Sequence, residues 1–247
     1  MAIWNDPQPS QMGFGASSRM NAGFSQQGVL DAGLRKYMLS IYNYMTSGVI
    51  LSGIVALGFA YSGLAAPVLL SPLRWVVALA PLGFVIAMSA GFNRMSPATL
   101  KACFWGFSVA MGLSLSAIFL RYTGPSIALT FFATAGSFAG LSLVGYTTKK
   151  NLSGFGSFLI MGVWGLIIAS LVSMFFNVPG LAFGISVLGV LIFAGLTAYD
   201  TQRLKGMYVQ VAGTPLEEKI AVMGALTLYL DFINMFQFLL SFMGDRR

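Results

Sequence analysis

The stretch GLAFGISVLGVLIFAGLTAYDTQ, residues 180–202, contains a single charged residue, Asp200, close to its end. Its apolar residues are continuous and do not alternate with polar ones. A membrane-spanning helix needs about 20 predominantly apolar residues, because each residue rises about 1.5 Å through a hydrocarbon layer about 30 Å thick. The stretch therefore predicts a transmembrane helix that carries an aspartate, a residue type that is rare inside membranes.

Six further stretches meet the same criterion, and together they define the fold class. Only 9% of the residues are charged and 57% are hydrophobic, whereas a soluble domain carries about 25% charged residues. Continuous apolar runs favour helices over the alternating strands of a membrane barrel. We predict an all-α polytopic membrane protein, a seven-transmembrane-helix bundle. The other six predicted spans are residues 38–62, 75–93, 102–120, 125–147, 155–177 and 220–243.

Residues 1–36 precede the first predicted span and are rich in Gly, Ser and Gln. They contain no apolar segment that could serve as a signal peptide or as the core of a domain. We therefore predict a disordered N-terminal tail over residues 1–36 and a membrane domain over residues 37–247.

The basic residues predict the orientation. Ten of the 14 Lys and Arg residues lie in the tail or in the second, fourth and sixth connections. Basic residues concentrate on the cytoplasmic side of membrane proteins, so the N-terminus is predicted to be cytoplasmic. Their scattered positions favour contact with the lipid bilayer surface and argue against nucleic acid as a partner. We expect a bacterial inner membrane, or the endoplasmic reticulum if the chain is eukaryotic.

The residue types that are missing exclude several chemistries. The chain has no His and one Cys, Cys103, so histidine triads, histidine metal sites and internal disulfides are excluded. Cys103 is interpreted as a small packing residue. The seventh span has no lysine in its apolar part, so it cannot hold retinal as a Schiff base.

Two of the seven acidic residues, Asp200 and Asp231, lie inside apolar runs. An ionised aspartate at a helix centre costs about 2.5–3.5 kcal/mol on insertion scales, so such residues tend to be functional. Asp231 is predicted to lie about 16 Å inside the last span. Asp200 is shallower, and an alternative for it is a solvated position at the interface beside Arg203 and Lys205.

The last span carries a polar stripe with helical periodicity, formed by small and polar residues on one face. Lipid cannot satisfy such side chains, so the stripe is predicted to face the bundle interior or water. Its members are Gly224, Thr227, Asp231, Asn234 and Ser241.

The two aspartates would form a distinctive site if they met. Counting residues places Asp200 nearer the membrane surface, so contact requires a displaced seventh helix or a sixth helix that continues past Arg203. Two carboxylates in one poorly solvated site cannot both ionise easily and would share a proton, which makes such a pair a pH sensor. Carboxylate oxygens are also ligands that Ca²⁺ prefers.

Two segments of the chain resemble the signature segments of the transmembrane Bax inhibitor motif family, the Bax inhibitor-1-like proteins. They are GLTAYDTQ (195–202) and LTLYLDFINMF (226–236). The resemblance extends over about residues 30–243. It implies six helices around a more central seventh, and a pH-sensitive calcium leak. By position, Asp200 and Asp231 match the family's sensor pair, and Arg94 matches an arginine that latches onto it.

The mechanism that the resemblance implies is a gate. Deprotonated aspartates hold Arg94 or Ca²⁺ while the seventh helix blocks the pore with its aromatic and aliphatic side chains. Thr227 and Asn234, from the polar stripe, are the candidate supports for the pair. Protonation releases the latch. No cofactor is expected apart from Ca²⁺ as the bound or transported ion, for which Asp200 and Asp231 are the ligands.

Two alternatives remain open at the level of sequence. Some bacterial relatives associate with a membrane AAA protease, and residues 1–36 could serve that partner role. An intramembrane aspartyl protease would also use two membrane aspartates. Those enzymes require Gly-x-Gly-Asp, whereas this chain has Leu-Tyr-Leu-Asp at residues 228–231. We therefore expect a protein that is not an enzyme.

Overall fold

The computed structural model describes residues 15–176 and 180–247, with side chains described from residue 30 onwards. Helices dominate this part of the chain, as its apolar composition predicts. The described residues form α1 (Gly15–Tyr61), α2 (Ala65–Leu70), α3 (Leu73–Gly91), α4 (Pro97–Arg121), α5 (Gly124–Thr147), α6 (Ser153–Phe175), α7 (Leu181–Val211) and α8 (Leu216–Met243).

Seven of these helices are long and apolar enough to cross a membrane, which confirms the predicted fold class. The exception is α2, a six-residue helix in a predicted connection. The sixth and seventh predicted spans correspond to α7 and α8. The helices differ most from the predicted spans at two ends: α1 begins at Gly15, 23 residues before residue 38, and α7 continues to Val211, nine residues beyond residue 202.

The chain divides into two compact units between Lys36 and Tyr37. The predicted division into a disordered tail and a membrane domain stays a prediction. Residues 1–14 of the predicted tail lie outside the described residues, and residues 15–36 belong to α1.

The C-terminal helix α8 is the most enclosed of the spans. Half of its most apolar window is buried, against 11% for α3 and for α6. It packs against α4, α5 and α7, and Tyr229 connects it to Ser52 of α1. The predicted central position of the last helix is therefore confirmed, and polar side chains on α8 can be shielded from lipid.

Two glycines allow neighbouring helices to approach closely. A Cβ on Gly112 of α4 would lie 2.7 Å from the carbonyl oxygen of Ser52 in α1, and a Cβ on Gly145 of α5 would overlap the carbonyl oxygen of Ala198 in α7. Real Cβ atoms do not come so near backbone atoms. The absence of a side chain at Gly112 therefore lets α4 approach α1. Its absence at Gly145 lets α5 approach α7 two residues from Asp200.

The residues after α8 are fastened to the turn between α4 and α5. The Asp245 backbone N–H donates to Ser126 Oγ at 2.9 Å. The Thr123 N–H donates to the Asp245 carbonyl and the Arg247 N–H donates to the Arg121 carbonyl, both at 3.0 Å. We call this connection the C-terminal strap; it fixes the Met243 end of α8.

Candidate functional site: a buried acid pair

The acid pair is assembled by the register of α7 against α8. Phe193 of α7 stacks on Phe238 of α8 with ring centroids 5.8 Å apart. The two helices are antiparallel neighbours, so seven residues forward along α7 correspond to seven residues back along α8. Those steps lead from Phe193 to Asp200 and from Phe238 to Asp231. The register therefore brings the two aspartates to the same level.

Asp200 and Asp231 lie side by side between α7 and α8, close enough for each carboxyl group to act on the other. Asp200 is 7% exposed and Asp231 is 4% exposed. The alternative of a solvated interface position for Asp200 is therefore wrong. From the sequence, the two aspartates can meet if the sixth span continues as a helix past Arg203. In the structure α7 does continue past Arg203.

No described residue donates a hydrogen bond to Asp231 Oδ2, which is buried. A buried acceptor without a donor is costly, and more so when it carries charge. A proton shared with Asp200, or a cation, would remove that cost. Among the described residues the one ion pair within 4.0 Å joins Lys101 to Glu218, so neither aspartate is neutralised by a salt bridge.

The cation whose charge acts on Asp200 is Arg203, three residues along α7. Its neighbour Lys205 is engaged elsewhere, because its Nζ donates to the Tyr146 carbonyl oxygen at 2.8 Å. Arg94, the predicted latch, lies exposed just after α3. The structure does not bring Arg94 into an ion pair with the aspartates, and its role as a latch stays a prediction.

Gln202, two residues after Asp200, is hydrogen-bonded to the connection between α5 and α6. Its Nε2 donates to the Lys150 carbonyl oxygen at 2.8 Å, and its Oε1 accepts from the Leu152 N–H at 2.9 Å. The part of α7 that leads into the turn to α8 is thus hydrogen-bonded to the α5–α6 connection.

The polar stripe of α8 faces the interior over most of its length. Gly224 and Asp231 are buried, whereas Thr227 and Asn234 are half-buried. The Thr227 hydroxyl donates to the carbonyl oxygen of Met223 in its own helix at 3.1 Å, so it satisfies itself. Asn234 follows Asp231 by one turn on the same face.

Sequence reasoning missed a second polar contact of α8. Tyr229 OH and Ser52 Oγ are 2.7 Å apart, and Ser52 Oγ also lies 2.7 Å from the Ser108 carbonyl oxygen. Tyr229 and Ser52 are buried, so this network links α8 to α1 and α4 without water. Tyr229 lies in the signature segment, but nothing in the sequence identifies Ser52 as its partner.

The capacity of the pair for metal is limited. Within the described residues no group of three acidic, His or Cys side chains could hold a metal ion. Ca²⁺ takes six to eight oxygen ligands, and two carboxyl groups supply at most four. The donor set therefore fits an ion that passes and is held weakly, and does not fit a resident structural ion.

These features define a class of protein: an all-helical, multi-pass membrane protein with an acid pair buried between its last two helices. The chain belongs to the Bax inhibitor-1-like family, whose model, described as inhibitor of apoptosis-promoting Bax1, matches residues 34–247. The resemblance seen in the two signature segments is thereby confirmed.

Relatives of similar length occur in several bacteria. An uncharacterized protein of Caulobacter vibrioides is 50% identical over 231 residues, covering 88% of this chain and 92% of its own length. The inner membrane protein YbhL of Escherichia coli is 44% identical over 220 residues, covering 87% and 94%. The uncharacterized protein RP147 of Rickettsia prowazekii is 41% identical over 224 residues, covering 90% and 95%.

Proposed function

We propose that the chain is a calcium leak channel in which the Asp200–Asp231 pair controls ion flow by gaining and losing a proton. The observation that carries the proposal is the placing of two buried carboxyl groups side by side, one of which has an oxygen without a described donor. Membership of the family fits such a role but does not establish it. The proposal assigns no covalent chemistry to the pair, so the protein is not an enzyme in this scheme.

The physical basis is the cost of two negative charges at one buried site. Two ionised carboxylates in contact repel, and an unpaired buried charge is strongly destabilising. The pair is therefore stable with one shared proton or with a cation beside it. These two states exchange as pH and cation concentration change, which couples proton uptake to ion occupancy.

Calcium is the ion that suits this site as cargo. Its preference for hard oxygen ligands matches two carboxylates, and the incomplete ligand set keeps it weakly bound. Conduction requires an ion to enter favourably and still leave. Asp200 and Asp231 are thus the proposed ion ligands, and Thr227 and Asn234 are proposed supports on the same helix.

The proposed gate moves α8. With the pair deprotonated, a cation such as Ca²⁺, or Arg94 as the predicted latch, holds α8 against its neighbours and the path is closed. Protonation discharges the pair and releases the cation, so that α8 can shift. In this scheme the turn between α7 and α8 faces the cytoplasm, as the distribution of basic residues predicts.

The test is calcium flux into proteoliposomes measured between about pH 6 and pH 8. Flux through the parent protein is expected to rise as pH falls, by up to about tenfold per pH unit for a one-proton step. Asp200→Asn and Asp231→Asn should remove that dependence. The control is Asp31→Asn, which changes an exposed acid on α1. An unaltered pH response in both pair variants would falsify the proposal.

The latch requires its own variant. Arg94→Gln should raise flux at high pH, where the parent is closed, and leave flux at low pH unchanged. If Arg94→Gln behaves like the parent at every pH, Arg94 is not the latch, and Arg203 is the cation to replace next.

A further inference from the structure

A cleft opens between α6 and α8 at the end of the bundle that contains Met243. Two cavities of about 310 Å³ and 480 Å³ meet there, and both are lined by Ser170, Asn234 and Phe238. The larger one is also lined by Phe193, and the smaller one by Ser186, so α7 forms the floor. We refer to the two cavities together as the cleft.

The smaller cavity of the cleft is lined mainly by polar side chains although it lies within membrane-spanning helices, whereas the larger cavity is lined mainly by apolar ones. Ser170 and Ser173 of α6 face Asn234 and Gln237 of α8 across it. The side-chain hydrogen bonds between described residues include neither amide, whereas Ser186 and Ser241 bond to each other at 3.1 Å. Hydrocarbon cannot satisfy a carboxamide, so these groups require water or a polar solute. The volumes are large enough for several water molecules.

The cleft leads towards the acid pair. Ser241 lies two residues from the end of α8 and Asn234 lies nine residues from it, or about 3 Å and 14 Å along the helix axis. Asp231 follows one turn further, on the face that carries Asn234. A polar path thus runs along α8 from the Met243 end to within one helical turn of the pair.

An aromatic pair separates the cleft from the aspartates on the α7 side. The rings of Phe193 and Phe238 are stacked at an interplanar angle of 24°, and Gly189 leaves the space that the Phe238 ring occupies. One turn beyond Phe193 lies Thr197, which is fully buried, and Asp200 follows on the same face. The stacked rings therefore lie between the cleft and the buried face of α7 that carries Thr197 and Asp200.

We propose that the cleft is a water-filled vestibule through which cations reach the acid pair from the Met243 end, with the stacked rings of Phe193 and Phe238 as the constriction on its α7 side, between the cleft and Thr197. The cleft's role as an ion entrance rests on the proposed channel function. Its being open to water, and the position of the constriction, do not depend on that function and can be tested without it.

The vestibule is tested by cysteine accessibility in a Cys103→Ser background, which has no other thiol. Ser170→Cys and Asn234→Cys are compared with Ile168→Cys, which lies on the apolar surface of α6 and is 60% exposed outside the cleft. The probe is a membrane-impermeant cationic methanethiosulfonate, added to sealed vesicles of either orientation. Thiols react as thiolates, which hydrocarbon disfavours.

The two cleft cysteines are expected to react at least about tenfold faster than Ile168→Cys. They should do so only from the side that carries Met243, and faster with the cationic reagent than with an anionic one. Equal protection of all three positions would mean that lipid or another chain fills the cleft, and would overturn the vestibule. A faster reaction with the anionic reagent would overturn the preference for cations.

The constriction is tested by Thr197→Cys, which lies beyond the aromatic pair. It should be unreactive in the parent and become reactive when combined with Phe238→Ala. The control is Phe132→Ala, which removes a 72% exposed ring on α5. If Phe238→Ala does not yield folded protein, Phe238→Leu takes its place and should give an intermediate rate. A Thr197→Cys that reacts as fast as Asn234→Cys in the parent, or stays unreactive in the folded Phe238 variants, overturns the constriction.

These outcomes separate the vestibule from the channel. If the cleft cysteines react but calcium flux ignores Asp200 and Asp231, the channel proposal fails and the vestibule stands. If flux follows the aspartates but the cleft cysteines are protected, ions reach the pair by another route and the vestibule fails.

Discussion

The two halves of the α7–α8 pair are built differently, although the same two helices run through both. In the half next to the turn, which extends from Ala198 on α7 and Asp231 on α8 to residues 211–216, side chains of α7 are bonded to neighbouring segments. Leu204 also fills the space left by Gly224. In the half next to Met243, α6 and α8 stand apart and leave the cleft. We call these the turn half and the cleft half.

The difference shows that packing against neighbouring helices, and not packing between α7 and α8 themselves, decides where the bundle is tightly packed. In the turn half, α5 lies against α7 through Gly145, and Lys101 of α4 pairs with Glu218 of α8. In the cleft half, serines and amides face an open space. The packing in this conformation is therefore closer on the turn side of Asp200 and Asp231 than on the other side.

The largest expected effect comes from a glycine in the turn half. A methyl group at Gly145 would overlap the backbone carbonyl of Ala198, which cannot rotate away. Gly145→Ala should cost about 1–3 kcal/mol by overpacking. At about 2–4 °C per kcal/mol, the Tm should fall by several degrees. Thermal unfolding in detergent, followed by tryptophan fluorescence, measures this shift.

Gly184→Ala is the matched control in the cleft half, because nothing lies within 4 Å of a Cβ placed there. Its Tm should be unchanged or higher, since Ala favours a helix over Gly by about 0.5–1 kcal/mol. Equal falls in Tm for Gly145→Ala and Gly184→Ala would contradict the contrast between tight packing in the turn half and open packing in the cleft half.

A smaller effect on stability is expected from Gln202 in the turn half and Gln237 in the cleft half. Gln202→Ala removes two hydrogen bonds to the α5–α6 connection, each contributing about 0.5–1.5 kcal/mol. Its free energy of unfolding should fall by about 1–2 kcal/mol. Gln237→Ala removes an exposed amide in the cleft half and should be neutral. Comparing the Tm values of both variants with the parent checks this, and a larger loss for Gln237→Ala would reverse the comparison.

The smallest effect is expected at the Lys101–Glu218 ion pair. Both side chains are partly exposed, at 31% and 51%, and such pairs contribute about 0–1 kcal/mol. A double-mutant cycle with Lys101→Met and Glu218→Gln should give a coupling energy in that range that shrinks at high salt. A coupling well above this, insensitive to salt, would mean that the pair is a major fastening of the turn half.

The number of spans and the identity of the paired acids could be predicted from the sequence because both depend on local properties. Length and hydropathy define a spanning helix, and a charge inside such a run is conspicuous. The end of α7 was placed too early because residues 203–211 include Arg203 and Lys205, which suggest an exit from the membrane. A helix can continue past charged residues of this kind, and α7 extends to Val211.

The cleft could not be predicted from the sequence because it arises where α6 and α8 do not pack against each other. The sequence of α6 is apolar enough to span the membrane, and its serines look like ordinary packing residues. Whether Ser170 faces lipid, a neighbour or a cavity is decided by the rotation of α6 about its axis and by its distance from α8. Both are properties of the assembled bundle.

The C-terminal strap has a mechanical consequence for any movement of the last helix. A rigid rod that is fastened at one end turns as a lever about that end, and the strap places the pivot beside Met243. Asp231 lies about 18 Å from the pivot and Leu216 about 40 Å from it. A tilt of about 5° would then move Asp231 by about 1.5 Å and Leu216 by about 3.5 Å. A tilt that moves Asp231 far enough to separate the two carboxyl groups thus moves Leu216 more than twice as far. Leu216 lies next to the Lys101–Glu218 ion pair.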